Sequence, residues 1–300
     1  MNLVINLNKP KDISSQQAVT RVKRLFGAQK AGHAGTLDPM ATGVLIVCLN
    51  EATKITRFLS DLDKEYIVRL KLGERTDTYD STGNVIEKRD VRFTKEKEIY
   101  EILERFTGSI RQTPPMYSAI KVGGKPLYKL ARKGIHIERA ERTISIHSIH
   151  LLQLDLPFVT LKVACSKGTY IRTLCDDIGN TLEMGAHMVS LERSRIGFFS
   201  IEDSASFEDI LLKKSAHHSI DTALSHLNEI ILDEDAFRRA KNGMPIHAGY
   251  PSISAINGGK SEAGEKAPKS QYVRLKDPEN TLFGIGKIED EVIKIERLLN

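Results

Sequence analysis

Apolar and polar residues alternate through EYIVRLKLG. Tyr66, Val68, Leu70 and Leu72 share one side of an extended chain, and Ile67, Arg69 and Lys71 share the other. The pattern predicts a half-buried strand. LVINL (3–7) and VLIVCL (44–49) are short apolar runs that also read as strands, the first ended by Asn8-Lys9-Pro10. The period then changes. Ala18, Val22, Leu25 and Phe26 recur at helical spacing, with Ser14 or Ser15 as the cap and Gly27 as the stop. Ile99, Ile102, Leu103 and Phe106 predict a helix over 95–106. Ile171, Leu174, Cys175, Ile178 and Leu182 predict another from about Thr169. Strands are expected near 144–152 and 158–165, and RTDTYDSTG (75–83) reads as a polar, turn-rich loop.

The texture shifts beyond about Leu227. A short helix, EDAFRRAKNG, leads to the β-prone pieces YVRLK, LFGIGKIED and VIKIERLL. Between helix and strands, residues 257–271 are rich in Gly, Lys and Glu and read as a mobile insertion. The boundary therefore falls near 227, giving 1–227 and 228–300. Three hundred residues suit a large domain followed by a small one. The net charge of +5 favours an anionic partner without proving one. No apolar run approaches the length of a membrane span, and the first residues lack the make-up of an export signal. Cys48, Cys165 and Cys175 are scattered thiols without a CxxC pair, as expected of a reduced, cytoplasmic chain.

One stretch stands out chemically. GHAGTLDPMATG (32–43) places its only carboxylate, Asp38, before a proline, in a glycine-rich loop running into a strand. An Asp before Pro is ordinarily an Asx turn. Here the glycines let backbone approach a ligand closely, and the strand can hold the loop rigid. A carboxylate acting as nucleophile in a dry pocket needs a cation beside it, because burial alone favours its neutral form. Arg172, in the first turn of TYIRTLCDDIG, is the candidate, although an arginine on an amphipathic helix is usually just solvated. Tyr66 is either a core tyrosine or a residue that stacks on a base and offers its hydroxyl. His33, flanked by Gly32, Ala34 and Gly35, is either a loop cap or a wedge into nucleic acid. Competing motifs are weak. SKGTY lacks the rest of a phosphate loop, and His147 with His150 on a strand makes a poor metal pair. Basic residues cluster twice. Lys9, Lys11, Arg21, Lys23, Arg24 and Lys30 face one acid, Asp12. Residues 114–142 carry seven Lys/Arg against two Glu, with Tyr117 and Tyr128 among them. Two basic patches flanking a glycine-rich carboxylate loop suggest a polyanionic substrate, and RNA recognition would use such tyrosines for stacking.

GHAGTLDPMATGVL resembles the catalytic motif of the bacterial tRNA pseudouridine synthases that modify the T-loop uridine, tRNA position 55. LNKPKDISS resembles the family's opening motif, DKEYIVRLKLGERTDTYDSTG its second, PPMYSAIKVGGKPLYKLARKG its thumb segment, and CSKGTYIRTLCDDIG and GAHMVSLERSRIG its last two. The resemblance spans residues 3 to about 198 in the expected order. It implies Asp38 as catalytic aspartate, Arg172 as its paired arginine and Tyr66 as the tyrosine on the target base. Tyr170 and Leu191 match pocket walls, and His33 matches the histidine inserted into the T-loop. Lys9 and Pro10 match a motif supporting the active-site loop, and Asp80 an aspartate near the flipped nucleotides. Lys9 and Asp80 are counted with Lys121, Lys125, Lys129 and Arg132 of the thumb among the RNA-binding residues. Glu192 departs from the pattern, standing where Arg is commoner.

The implied fold is α+β, a mixed, largely antiparallel sheet with a thumb insertion over about 114–142 and a small β-rich, PUA-like C-terminal domain. The implied partner is the T-arm and T-loop of tRNA, acted on by a monomer with no cofactor, metal, membrane or guide RNA. The rival readings are a guide-dependent synthase, a non-catalytic tRNA-binding or folding protein, and a base-exchanging transglycosylase.

Overall fold

The computed structural model describes residues 1–118, 120–131, 133–135, 137–247, 271–290 and 292–299. In chain order, β1 (Val4–Lys9) leads to α1 (Ser15–Leu25), β2 (Ala31–His33), β3 (Thr42–Leu49) and α2 (Thr56–Ser60). Then come β4 (Lys64–Leu72), the hairpin β5 (Glu74–Thr76) and β6 (Val85–Lys88), α3 (Glu96–Arg105) and β7 (Gly108–Gln112). A small hairpin, β8 (Lys121–Val122) and β9 (Lys125–Pro126), precedes α4 (Leu127–Ala131). The long pair β10 (Arg142–Asp155) and β11 (Phe158–Cys165) is followed by α5 (Ile171–Thr181), β12 (Ala186–Ile196), β13 (Phe199–Ser200), β14 (His217–His218) and α6 (Ile220–Ala223). The last part holds β15 (Asn228–Ile231), α7 (Glu234–Lys241), β16 (Ile246–His247), β17 (Gln271–Lys276), β18 (Leu282–Glu289) and β19 (Val292–Leu298).

Ten of these strands form one sheet, in the order β14-β1-β3-β12-β4-β11-β10-β7, with β2 beside β3 and β13 beside β12. Its ladders are antiparallel except the pair β3–β12, so the sheet is mixed and largely antiparallel as the sequence predicts. The predicted alternation of β4 holds: Tyr66, Val68, Leu70 and Leu72 are buried. Each such aliphatic side chain contributes about 1.5–3 kcal/mol through burial. From Val44 to Leu49 the strand β3 is apolar because both its faces are covered. Leu45, Val47 and Leu49 join the main core, while Val44, Ile46 and Cys48 join a second core on the opposite face.

Ser14 caps α1. Its hydroxyl accepts from the Gln17 amide while the Gln17 side chain accepts from the Ser14 amide, a capping box. That leaves Ser15 free to turn inward. The ladder of β1 runs further than expected: Lys9 still pairs with Gly43, because Pro10 removes only its own N–H from the pairing. The helix α5 begins at Ile171, two residues later than the spacing suggests, with Tyr170 as its cap residue.

The C-terminal strands form their own sheet, β15-β17-β18-β19-β16, over a core that includes Ile230, Leu275 and Ile293. Ile285 of β18 instead joins the second core with Ile55 and Phe58. Most of the insertion at 257–271 lies outside the described residues. Among the described residues, no helix is long and apolar enough to cross a membrane.

Candidate active site

The Asp38 loop connects β2 to β3 and is pinned at several points. Gly35 turns the chain at φ +97°. The Ser15 hydroxyl accepts from the Leu37 amide at 2.8 Å and donates to the Leu37 carbonyl at 2.9 Å. The Ala41 amide closes a turn onto the Asp38 carbonyl. At the loop's exit, Gly43 is squeezed between β1 and β12. A Cβ there would lie 2.3 Å from the Arg193 carbonyl, and its φ of +98° is a glycine conformation.

Lys9 is fully buried. Its Nζ donates to the carbonyls of Pro10, Ile13 and Pro39 at 2.8, 2.9 and 3.3 Å. Burial lowers its pKa to about 8, with Asp38 opposing. It supports the loop from beneath, with no exposed surface and its ammonium bonded to three carbonyls.

Arg172 enters from α5, its side chain almost wholly buried, and grips both oxygens of Asp38. Nε lies 2.9 Å from Oδ2, and Nη2 lies 3.4 Å from Oδ1. The rest of the guanidinium is also held. Nη2 donates to the Tyr117 carbonyl at 2.8 Å, and Nη1 reaches Asp80 at 3.3 Å and the Thr78 carbonyl at 3.4 Å. Asp80 is buried and already satisfied, accepting from the Thr78 hydroxyl, the Thr82 amide and the Thr82 hydroxyl. The structure places Asp80 behind Arg172. The Asp38 side chain keeps 32% of its surface open. Burial pushes its carboxyl above the ordinary value; Arg172, Lys9 and Arg193 oppose that push and Asp80 adds to it.

Tyr66 on β4 lies directly across from Arg193 on β12. Burial raises the pKa of its phenol, and the nearby Arg193 charge opposes that rise. Leu191, two residues earlier on β12, pairs with Val68 and is buried in the main core. Tyr170 is half-buried. Gln112 holds its backbone from both sides, accepting from the amide at 2.8 Å and donating to the carbonyl at 3.0 Å. His33 is half-buried on β2, and its Nδ1 has no hydrogen-bond partner among the described residues. Burial and Arg193 lower its pKa, favouring the neutral ring.

The thumb segment forms β8, β9 and α4, with Lys129 exposed. Arg132 and the side chains of Lys121 and Lys125 lie outside what the structure describes. His147 pairs with Asp63 at 3.1 Å, and the described residues hold no group of metal-ligating side chains. The three cysteines are buried, free thiols. Burial pushes Cys48 up to about 12 and Cys165 to about 11, so neither is an activated nucleophile.

Sequence reasoning missed Arg193, Gln112 and Ser15. Arg193 left a faint signal: it is two residues past Leu191, so strand alternation turns both to one side. Gln112 and Ser15 left none, since their partners are distant in sequence.

Residues 23–171 match the family described as TruB family pseudouridylate synthase (N terminal domain), and residues 172–237 match the tRNA pseudouridylate synthase B C-terminal domain. The chain is 44% identical to the tRNA pseudouridine synthase B of Clostridium tetani over 301 residues, covering all of both chains. It is 42% identical over 298 residues to the Haemophilus influenzae protein of the same name, covering 99% of this chain and 94% of that one. Among solved structures it is similar to a chain in a Cbf5-Nop10-Gar1 complex, with TM-score 0.76 and 26% identity over 99% of this chain and 85% of the other.

Proposed function

The chain belongs to the TruB family of pseudouridylate synthases, and on that premise we propose that it converts the T-loop uridine of tRNA, position 55, to pseudouridine. The observation that carries this reading is the two-point grip of Arg172 on an Asp38 whose side chain is one-third open, beside a tyrosine on a central strand of the sheet.

The reaction breaks the bond from N1 to C1′, turns the uracil, and joins C5 to C1′. The proton leaving C5 balances the one gained at N1. No atom is gained or lost, so the balance requires no co-reactant. The uridine must first leave its stack, which costs a few kcal/mol, offset by stacking and edge hydrogen bonds in the pocket. His33 fills the gap in the opened loop. Tyr66 and Leu191 sandwich the uracil and Tyr170 walls the pocket. Asp38 then adds to C1′, removes a sugar proton to give a glycal, or adds at C6. All three routes need it ionised, and Arg172 stabilises that form. Tyr66 assists the final loss of the C5 proton.

Lys121, Lys125, Lys129 and Arg132 grip the T-arm through its phosphates. The protein works as a cytoplasmic monomer, without guide RNA. Residues 1–227 are the catalytic domain and 228–300 a small β-rich RNA-binding domain, a division supported by the separate sheet that starts at Asn228.

The test is tritium release from a tRNA transcript with uridine tritiated at C5, in the absence of any guide RNA. Release by the wild type, absent for Asp38→Asn and absent when the T-loop uridine is replaced by cytidine, is the expected result. A folded wild type that binds the transcript and releases nothing overturns the reading.

A further inference from the structure

Among the described residues, the largest fully buried side chain belongs to Arg193, 1% exposed, and no step above uses it. Its Nε donates to the Val44 carbonyl at 2.8 Å and its Nη2 to the Gly35 carbonyl at 3.1 Å. Its Nη1 lies 3.5 Å from the Thr36 carbonyl. Gly35 and Thr36 precede Asp38 in the loop, and Val44 follows it. One planar fork therefore ties the entry of the catalytic loop to its exit.

All three partners are neutral carbonyls, which raises the question of why a charge sits there. Burying a guanidinium against neutral oxygens is costly, and apolar side chains of like volume often serve as well for stability alone. The charge therefore points to a second charge nearby. Asp38 is faced from every side by titratable or charged groups. Arg172 comes from α5 with Tyr170 at its cap, Asp80 from the turn after β5, Lys9 from β1, Tyr66 from β4 and Arg193 from β12. Arg193 is in turn faced by His33 on β2, by Lys64 and Tyr66 on β4, and by Lys9.

We propose that Arg193 is a positioning residue of the isomerase. It clamps the two ends of the Asp38 loop, and its charge adds to the positive surroundings of the carboxylate. Arg172 grips the carboxylate from the α5 side; Arg193 fixes the backbone that aims it. This inference rests on the isomerase reading above.

The full-length wild type, Arg193→Met and Arg193→Lys are compared by single-turnover tritium release across the acid limb of the rate profile, with transcript affinity and Tm measured alongside. Loss of loop alignment is expected to slow Arg193→Met by about 100-fold. Loss of the nearby cation moves its acid limb to higher pH, since Asp38 then protonates more easily. Transcript affinity stays unchanged. Arg193→Lys keeps the charge and loses the fork, so its limb returns to the wild-type position while its rate stays about 10-fold low. An Arg193→Met limb that coincides with the wild type, or a rate loss fully accounted for by unfolded protein, overturns the proposal. If Arg193→Met does not fold, Arg193→Lys decides: a slow rate at unchanged affinity supports the role, and a wild-type rate overturns it. A wild type that releases no tritium removes the isomerase reading, and this inference with it.

Discussion

Asp38 is under opposed influences, and their balance makes two predictions. Burial pushes its folded-state pKa up, and the Arg172 guanidinium only partly offsets this. A group whose pKa is raised on folding adds stability below its unfolded pKa and loses it as pH rises through the folded value. At neutral pH the ionised carboxylate thus weakens the fold, although the chemistry needs it. Asp38→Asn is expected to abolish tritium release and leave Tm at or above the wild type, read by thermal unfolding at pH 7; a Tm several degrees lower would show that Asp38 stabilises the fold. The second prediction concerns Asp80. Asp80→Asn removes the charge that holds Arg172 from behind, so kcat should fall about 10- to 100-fold through misalignment while transcript affinity holds. An effect confined to KM would place Asp80 on the RNA instead. The pairing of Asp38 with Arg172 was legible through the resemblance, because each motif that carries it lies in one local segment. Burial of Lys9, full satisfaction of Asp80 and the partners of Arg193 were not, since each depends on atoms from remote strands.

Gly43 illustrates what a strand pattern hides. The alternation in EYIVRLKLG and the cap before α1 read correctly, because both follow from a single segment's own period. The parallel pairing of β3 with β12 at Glu192↔Thr42 and Arg193↔Gly43 joins segments about 150 residues apart, and nothing in either segment announces it. Gly43→Ala would combine a left-handed backbone penalty with a Cβ 2.3 Å from the Arg193 carbonyl. The expected cost is about 2–5 kcal/mol, read as a fall in Tm with slower turnover, because the Asp38 loop loses its exit anchor. A variant with wild-type Tm would show that the two strands move apart freely. The thumb calls for a different readout. Lys129 is exposed on α4 and contributes charge. Lys129→Ala should weaken transcript binding and lower the salt slope of log K by about 1; an unchanged slope would remove Lys129 from the RNA contact.

The large sheet divides labour between its two faces. Its main core, with α1 and α5, includes Tyr66, Leu191 and the Leu37 neighbour of Asp38. On the opposite face Ile285 packs into the second core with Ile55 and Phe58, the Phe58 ring meets Tyr272 edge-on, and Arg57 pairs with Glu296. A charge cluster locks the C-terminal sheet to α6. Arg274 bonds Asp221 and Glu229 at 2.6 and 3.0 Å, and Lys276 bonds the same two acids at 3.1 and 3.0 Å. Both cations are largely buried, so removing one acid leaves two charges sharing the other. Asp221 keeps a third of its side chain open and both cations retain Glu229, so Asp221→Ala is expected to destabilise the protein by about 1–3 kcal/mol, less than breaking a fully buried pair. Because the cluster belongs to the α6 and C-terminal side, the geometry around Asp38 and Arg172 should survive. Single-turnover release from a saturating T-arm hairpin should then match the wild type at a temperature where both are folded, even as Tm falls. If the rate drops with the stability, the C-terminal sheet and the catalytic loop are coupled through the central strands, and the two faces do not act independently.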